Sequence, residues 1–227
     1  MTNKAGHARR KTIRSYRPLV ELLEERSLLS TNYWTNSSGG DWANSSNWSL
    51  AAVPVSGDDV VINLAGNFTV SLTSGSSTIH SLSVSNTLVL DGGSLTSTNA
   101  IQVAGVLDFE SGSLTSSNGI TVSGGTFEYD GGTLSANVTI RNSALILDGG
   151  NSSATFTVNG NSSLSGSVVA GQSIWVQGGA NSANTILTVA NGASSAGTIK
   201  MESTVGSSYL SDMPETPFCF LHGSIRN

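Results

Sequence analysis

Glycoside hydrolysis needs two carboxyl groups about 5–10 Å apart in a cleft, and Asp108 and Glu128 are placed to offer such a pair. Each is the polar centre of an apolar-polar-apolar triplet, Leu107-Asp108-Phe109 and Phe127-Glu128-Tyr129. Both therefore point away from a buried face, on neighbouring units of the chain. No sequence feature marks a cleft around them. Polysaccharide lyase chemistry needs a cation for an acidic sugar, and a base. From Leu82 to Ile199 the chain offers one basic residue, Arg141, and no histidine. Ser/His/Asp catalysis finds only His80 in the body of the chain, and no nucleophile-elbow motif. The residues argue against an enzyme, and they imply no cofactor. The single cysteine, Cys219, permits neither a disulfide within the chain nor a cysteine-based metal site.

Binding chemistry has other candidates. Asp91, Glu110, Asp130 and Asp148 recur at one point of a repeat and form an acidic ladder. Stacked carboxylates repel, and a calcium ion would relieve that. The nonapeptide pattern of calcium-binding β-rolls is absent, however, so solvated turn residues are the simpler reading. Trp34, Trp42 and Trp48 are the residue type on which a sugar ring stacks. They are equally what an N-terminal cap needs to close an apolar column. Trp175 is a further stacking candidate, because it stands where the equivalent triplets carry a polar residue. A sugar-processing protein would line one groove with Trp175, Arg141 and Asp108 or Glu128. Asn-x-Ser/Thr triplets, as at Asn36, Asn67 and Asn137, are expected by chance in a chain this rich in those residues.

The elements that must position these groups are set by a repeat. The triplets Leu82-Ser83-Val84, Ile101-Gln102-Val103, Ile120-Thr121-Val122, Val138-Thr139-Ile140, Phe156-Thr157-Val158 and Ile174-Trp175-Val176 advance by 18 or 19 residues. The acidic turn marker advances in step, by 18 to 20. Alternation of this kind means strands with one buried face. The second strand of each unit buries Leu88 and Leu90, Leu107 and Phe109, Phe127 and Tyr129, and Leu145 and Leu147. It turns Val89, Asp108, Glu128 and Ile146 outward. A unit of about 18–20 residues is too short for a helix pair or a propeller blade and suits one coil of a parallel β-helix. Stacked coils about 4.8 Å apart bury a continuous aliphatic column that no single coil can. The predicted fold is all-β, a β-solenoid.

Residues 1–30 hold seven of the ten basic and three of the fifteen acidic residues, a net charge of +4; the remainder carries −9. An acidic body with so few cations cannot neutralise phosphates, which excludes nucleic-acid partners. No run approaches the length of a transmembrane helix. The reading divides the chain into a basic leader at 1–30 with short-helix spacing, a cap and first coils at 31–81, and the repeat at 82–200. An irregular tail at 201–227 follows, in which Pro214, Pro217, Phe218 and His222 match nothing before them; it suggests a truncated end. Ile186-Leu187-Thr188-Val189 has strand character out of register, so one coil there is irregular. An uncapped last coil exposes a sheet edge and invites edge-to-edge self-association.

Two segments carry a family resemblance. Val20-Glu21-Leu22-Leu23-Glu24-Glu25-Arg26-Ser27-Leu28-Leu29-Ser30 resembles the Leu-Glu-x-Arg-x-Leu-Leu-Ser leader of secreted and surface proteins of planctomycete bacteria, with Glu25 where proline or aspartate is usual. Trp34-x7-Trp42-x5-Trp48, followed by Pro54-x2-Gly57-Asp58-Asp59-Val60-Val61-Ile62, resembles the opening of β-helical adhesin and autotransporter-type passenger regions. The resemblance implies export and an extracellular or cell-surface location. The expectation is therefore a non-catalytic structural or adhesive β-solenoid, with glycans or cell-surface components as partners. The alternative is a carbohydrate-binding or polysaccharide-processing β-helix.

Overall fold

The computed structural model describes residues 29–150, 152–178 and 185–203. The leader expected at 1–30 and the tail expected at 201–227 lie outside these residues, except for their inner edges. Among the described residues there is no α-helix, only a short 3-10 turn at Ser45–Asn47.

Two parallel sheets run the length of the molecule. The nine-stranded first sheet stacks Ser30–Tyr33, Asp58–Ile62, Ser81–Val84, Ile101–Val103, Ile120–Ser123, Val138–Arg141, Ala154–Asn159, Gln172–Gly178 and Thr198–Ser203. The second sheet stacks Gly40–Asp41, Thr69–Leu72, Thr87–Ser97, Val106–Ser116, Thr126–Tyr129, Ala144–Leu147, Asn161–Val168 and Ile186–Val189. Every strand pairing is parallel, and the chain alternates between the sheets, which defines a β-solenoid.

The register follows the sequence spacing. Leu82 pairs with Ile101, Ile101 with Ile120, Ile120 with Val138, Val138 with Phe156 and Phe156 with Ile174. The next partner of Ile174 is Ile199, a step of 25 residues in place of 18. The same longer step separates Leu164 from Val189, so the coil holding Ile186–Val189 is the irregular one.

The core is the column that this register makes. Leu88, Leu90, Leu107, Phe109, Phe127, Tyr129, Leu145 and Leu147 are all fully buried, as are Val84, Val122, Ile140, Phe156 and Val158. Ring neighbours continue from coil to coil: Phe109–Tyr129 at 5.7 Å, Phe127–Tyr129 at 6.4 Å and Phe127–Phe156 at 6.0 Å between centroids. Close stacking restricts the corners to glycine in places. At Gly112, φ is +92°, and an added Cβ would lie 2.0 Å from the Gly93 carbonyl oxygen of the coil before.

Part of the solenoid has a third face, within the two or three short strands that a coil of this length allows. The strands Thr87–Ser97 and Val106–Ser116 continue past the bend after Leu90 and Phe109, and their second halves pair with Ser76–Ile79 and Thr133–Ser135. At that bend the register slips, so Asp91 lies opposite Ser111, not opposite Glu110. Glu110 is the extra residue of a bulge. The acidic ladder is thus broken between its first two members, and Ser111 donates a hydrogen bond to Asp91 at 3.0 Å.

Candidate functional site

The N-terminal tryptophans form a closed plug. Trp34, Trp42 and Trp48 are 2%, 1% and 3% exposed. Trp48 meets Trp34 edge-on at 5.0 Å and Trp42 at 4.8 Å, while Trp34 stacks with Phe68. All three indole N–H groups are satisfied, on Asn36 O, Ser77 Oγ and Trp42 O respectively. Buried Asn32 and Asp58 complete the closure. Asn32 donates to Ala52 O at 3.0 Å, and Asp58 accepts from Val55 N at 2.9 Å and from the Ser30 hydroxyl. Sugar stacking needs an open ring face, so of the two readings of Trp34, Trp42 and Trp48 the buried rings fit the cap of the column and not the platform.

His80 serves the same end of the solenoid. Its Nδ1 lies 2.7 Å from Asp59, and the Ser81 hydroxyl donates to the same carboxylate. These two hydrogen bonds hold the Asp59 carboxyl below its ordinary range, with the Ser81 bond the larger influence. Serine and histidine both address the aspartate, so no base faces a nucleophile here.

The carboxylates gather on the second sheet. Glu128 pairs in register with Asp108, and Asp130 follows two residues later on the same face. Oxygens of Asp108, Glu128 and Asp130 lie within 4.8 Å of one another. Asp108 is pushed up to about 6, mainly by burial and then by the charge of Glu128. Burial, followed by like charge, also raises Glu128 and Asp130. One oxygen each of Asp108 and Asp130 is buried without a hydrogen-bond partner. The sequence placed Asp130 in the ladder and Asp108 with Glu128. It did not show that Asp130 joins the pair, although the i, i+2 spacing from Glu128 carries that information.

This cluster has a signed effect on stability. A carboxyl whose folded value lies above its unfolded one stabilises the fold while protonated, and that contribution fades as pH rises through the folded value. For Asp108 the window runs from about pH 4 to about pH 6. Asp108→Asn is expected to stabilise the protein at pH 7.5 by an amount on the order of 1 kcal/mol, after solvent screening, and to be neutral near pH 3.5. Urea denaturation at the two pH values checks it; equal effects at both would refute the raised Asp108 carboxyl.

The groove expected to combine Trp175 and Arg141 with Asp108 or Glu128 does not form. Trp175 belongs to the first sheet and the carboxylates to the second. Arg141 is exposed at the end of its first-sheet strand. Trp175 instead borders a shallow recess of about 410 Å³ whose lining includes Asn137, Thr139, Thr157, Asn159 and Gln177. Thr157 pairs with Trp175 from the preceding coil and Lys200 from the following one. The Lys200 ammonium sits 4.9 Å from the ring centroid.

These features define a parallel two-sheet β-solenoid with an aromatic N-terminal cap, an acidic cluster and one outward aromatic recess. No protein-family model, curated protein or solved structure matches the chain. Among the described residues, no helix is long and apolar enough to cross a membrane.

Proposed function

We propose that this protein is a non-catalytic structural or adhesive β-solenoid that works outside the cell or at its surface. The observation that carries the proposal is the continuous stack: both sheets pass through every coil, closed at the N-terminal end by the tryptophan cap. Such a stack is a rigid, extended element that presents long polar faces, which suits spacing and contact better than turnover. The basic leader and its resemblance to planctomycete export leaders support the location. The non-catalytic reading draws on chemistry: His80 is committed to Asp59, and the Asp108 cluster repels itself with no cation beside it among the described residues. Edge pairing with another copy fits the same role, because Ile186 and Met201 of the last described coil are exposed.

Fractionation of the source cells, with antibodies against residues 31–203, tests the location. The protein is expected in the medium or on intact cells, where added protease removes surface-held material. Recovery only from the cytoplasm, protected until lysis, would overturn the proposal.

A further inference from the structure

We infer that the recess beside Trp175 is a binding subsite for a neutral sugar ring of a polysaccharide. The inference rests on the adhesive reading above and gives it a ligand class. Trp175 occupies the outward centre of its triplet, where the preceding coils carry Ser83, Gln102, Thr121, Thr139 and Thr157. A large ring on an outer polar face costs exposure without adding to the core. Its indole N–H is enclosed and has no hydrogen-bond partner among the described residues, in contrast to the three cap tryptophans, so the edge of the ring is not fixed by the fold.

The surroundings specify the ligand. Carboxamides of Asn137, Asn159 and Gln177 and hydroxyls of Thr139 and Thr157 flank the ring. Carboxamides both donate and accept, which matches the neighbouring hydroxyls of a sugar. The apolar C–H face of a pyranose suits an aromatic ring. The recess volume falls within the range of small-ligand sites, roughly 300–1,000 Å³. The lining carries no charged side chain, which favours a neutral ligand over a charged one. The recess lining contains no carboxylate for a cationic ligand. Two cations lie by the recess but outside its lining: Lys200, paired with Glu202 at 3.3 Å, and Arg141, in register with Asn159. Lys200 also braces the ring from the coil on the C-terminal side.

The test is a titration of the full chain with cellohexaose, laminarihexaose, xylohexaose and an oligogalacturonate, read by the indole N–H resonances in a ¹H–¹⁵N correlation spectrum. The chain has four tryptophans, and three have their N–H groups bonded in the cap. One resonance, lost in Trp175→Ala, is expected to shift saturably with at least one neutral oligosaccharide while the cap resonances stay still. Trp175→Ala and the double variant Asn159→Ala/Gln177→Ala are each expected to bind roughly tenfold more weakly. The double variant keeps the ring and its Lys200 contact, so it reports on the recess even if Trp175→Ala disturbs the last coils. No shift with any neutral sugar, a shift with oligogalacturonate alone, or unchanged binding in the double variant would each overturn the inference. Cell fractionation is a separate measurement, so a surface protein that ignores sugars and a sugar binder that stays in the cytoplasm are told apart.

Discussion

Phe127→Ala is expected to destabilise the solenoid by about 3–5 kcal/mol, among the largest effects any single truncation in the column can have. Phe127 is fully buried, with Leu107 in register on one side and Leu145 on the other. Its ring also lies against Tyr129 and Phe156. Removing it leaves a ring-sized void, and backbone pairing on both sides prevents collapse of the site. A linear stack adds a second consequence. Each coil contacts only its neighbours, so a weakened central interface uncouples the two ends. Urea denaturation followed by far-UV circular dichroism and by tryptophan fluorescence should give coincident curves for the parent chain. The curves should separate in the variant, because three of the four tryptophans report on the N-terminal cap. Phe127→Leu keeps most of the volume and should cost less than half as much. A loss below about 1 kcal/mol for Phe127→Ala would mean that the column is not the source of stability.

Phe127 also shows why so much of the fold was readable. Its neighbours in space are its equivalents one unit away in sequence, so a period of 18 to 20 residues, once found, gives register and facing together. The alternation Phe127-Glu128-Tyr129 named the buried and outward residues of its strand correctly, because side chains in a strand alternate without exception unless a bulge intervenes. The bulge at Glu110 is where that reading stopped working. One inserted residue moved Asp91 opposite Ser111 and broke a ladder that looked regular by spacing. A coil of this length allows two or three strands, and the place of the third was left open because Ser94-Leu95-Thr96 and Ser113-Leu114-Thr115 have a single apolar residue between hydroxyls, after a Gly-rich bend.

The sites were less legible than the fold, because a site depends on how separate columns meet. Asp130 joins the Asp108 and Glu128 column through its i, i+2 spacing from Glu128, a local signal that the repeat period does not carry. Trp175 and Asp108 each point outward, as the sequence indicated, but from different sheets. A pattern of period two gives the inside and outside of each strand; it does not say which outer face two residues share.

The second large effect is expected at the cap, where Trp48→Ala should cost about 3–5 kcal/mol of local stability. Trp48 is the middle ring of the plug: it touches Trp34 and Trp42, and its N–H donates to Trp42 O at 2.8 Å. Its backbone also bridges antiparallel to Trp34. Truncation opens the end of the column that the three rings close against water. Loss at an end differs in kind from loss at the centre. The coils beyond still have both neighbours, so the defect should fray the stack and not divide it. Amide hydrogen exchange distinguishes the two outcomes. Protection should fall sharply across Ser30–Tyr33, Asp58–Ile62 and Thr69–Leu72, and persist across Ile120–Ser123, Val138–Arg141 and Ala154–Asn159. Phe127→Ala should instead weaken the middle strands first. If Trp48→Ala left N-terminal protection intact while reducing sugar binding, Trp48 would be a ligand platform after all. The opposite pattern, frayed first coils with the Trp175 resonance still responding to sugar, would assign the four tryptophans to two separate roles: three as the stopper of the column, one as its point of contact.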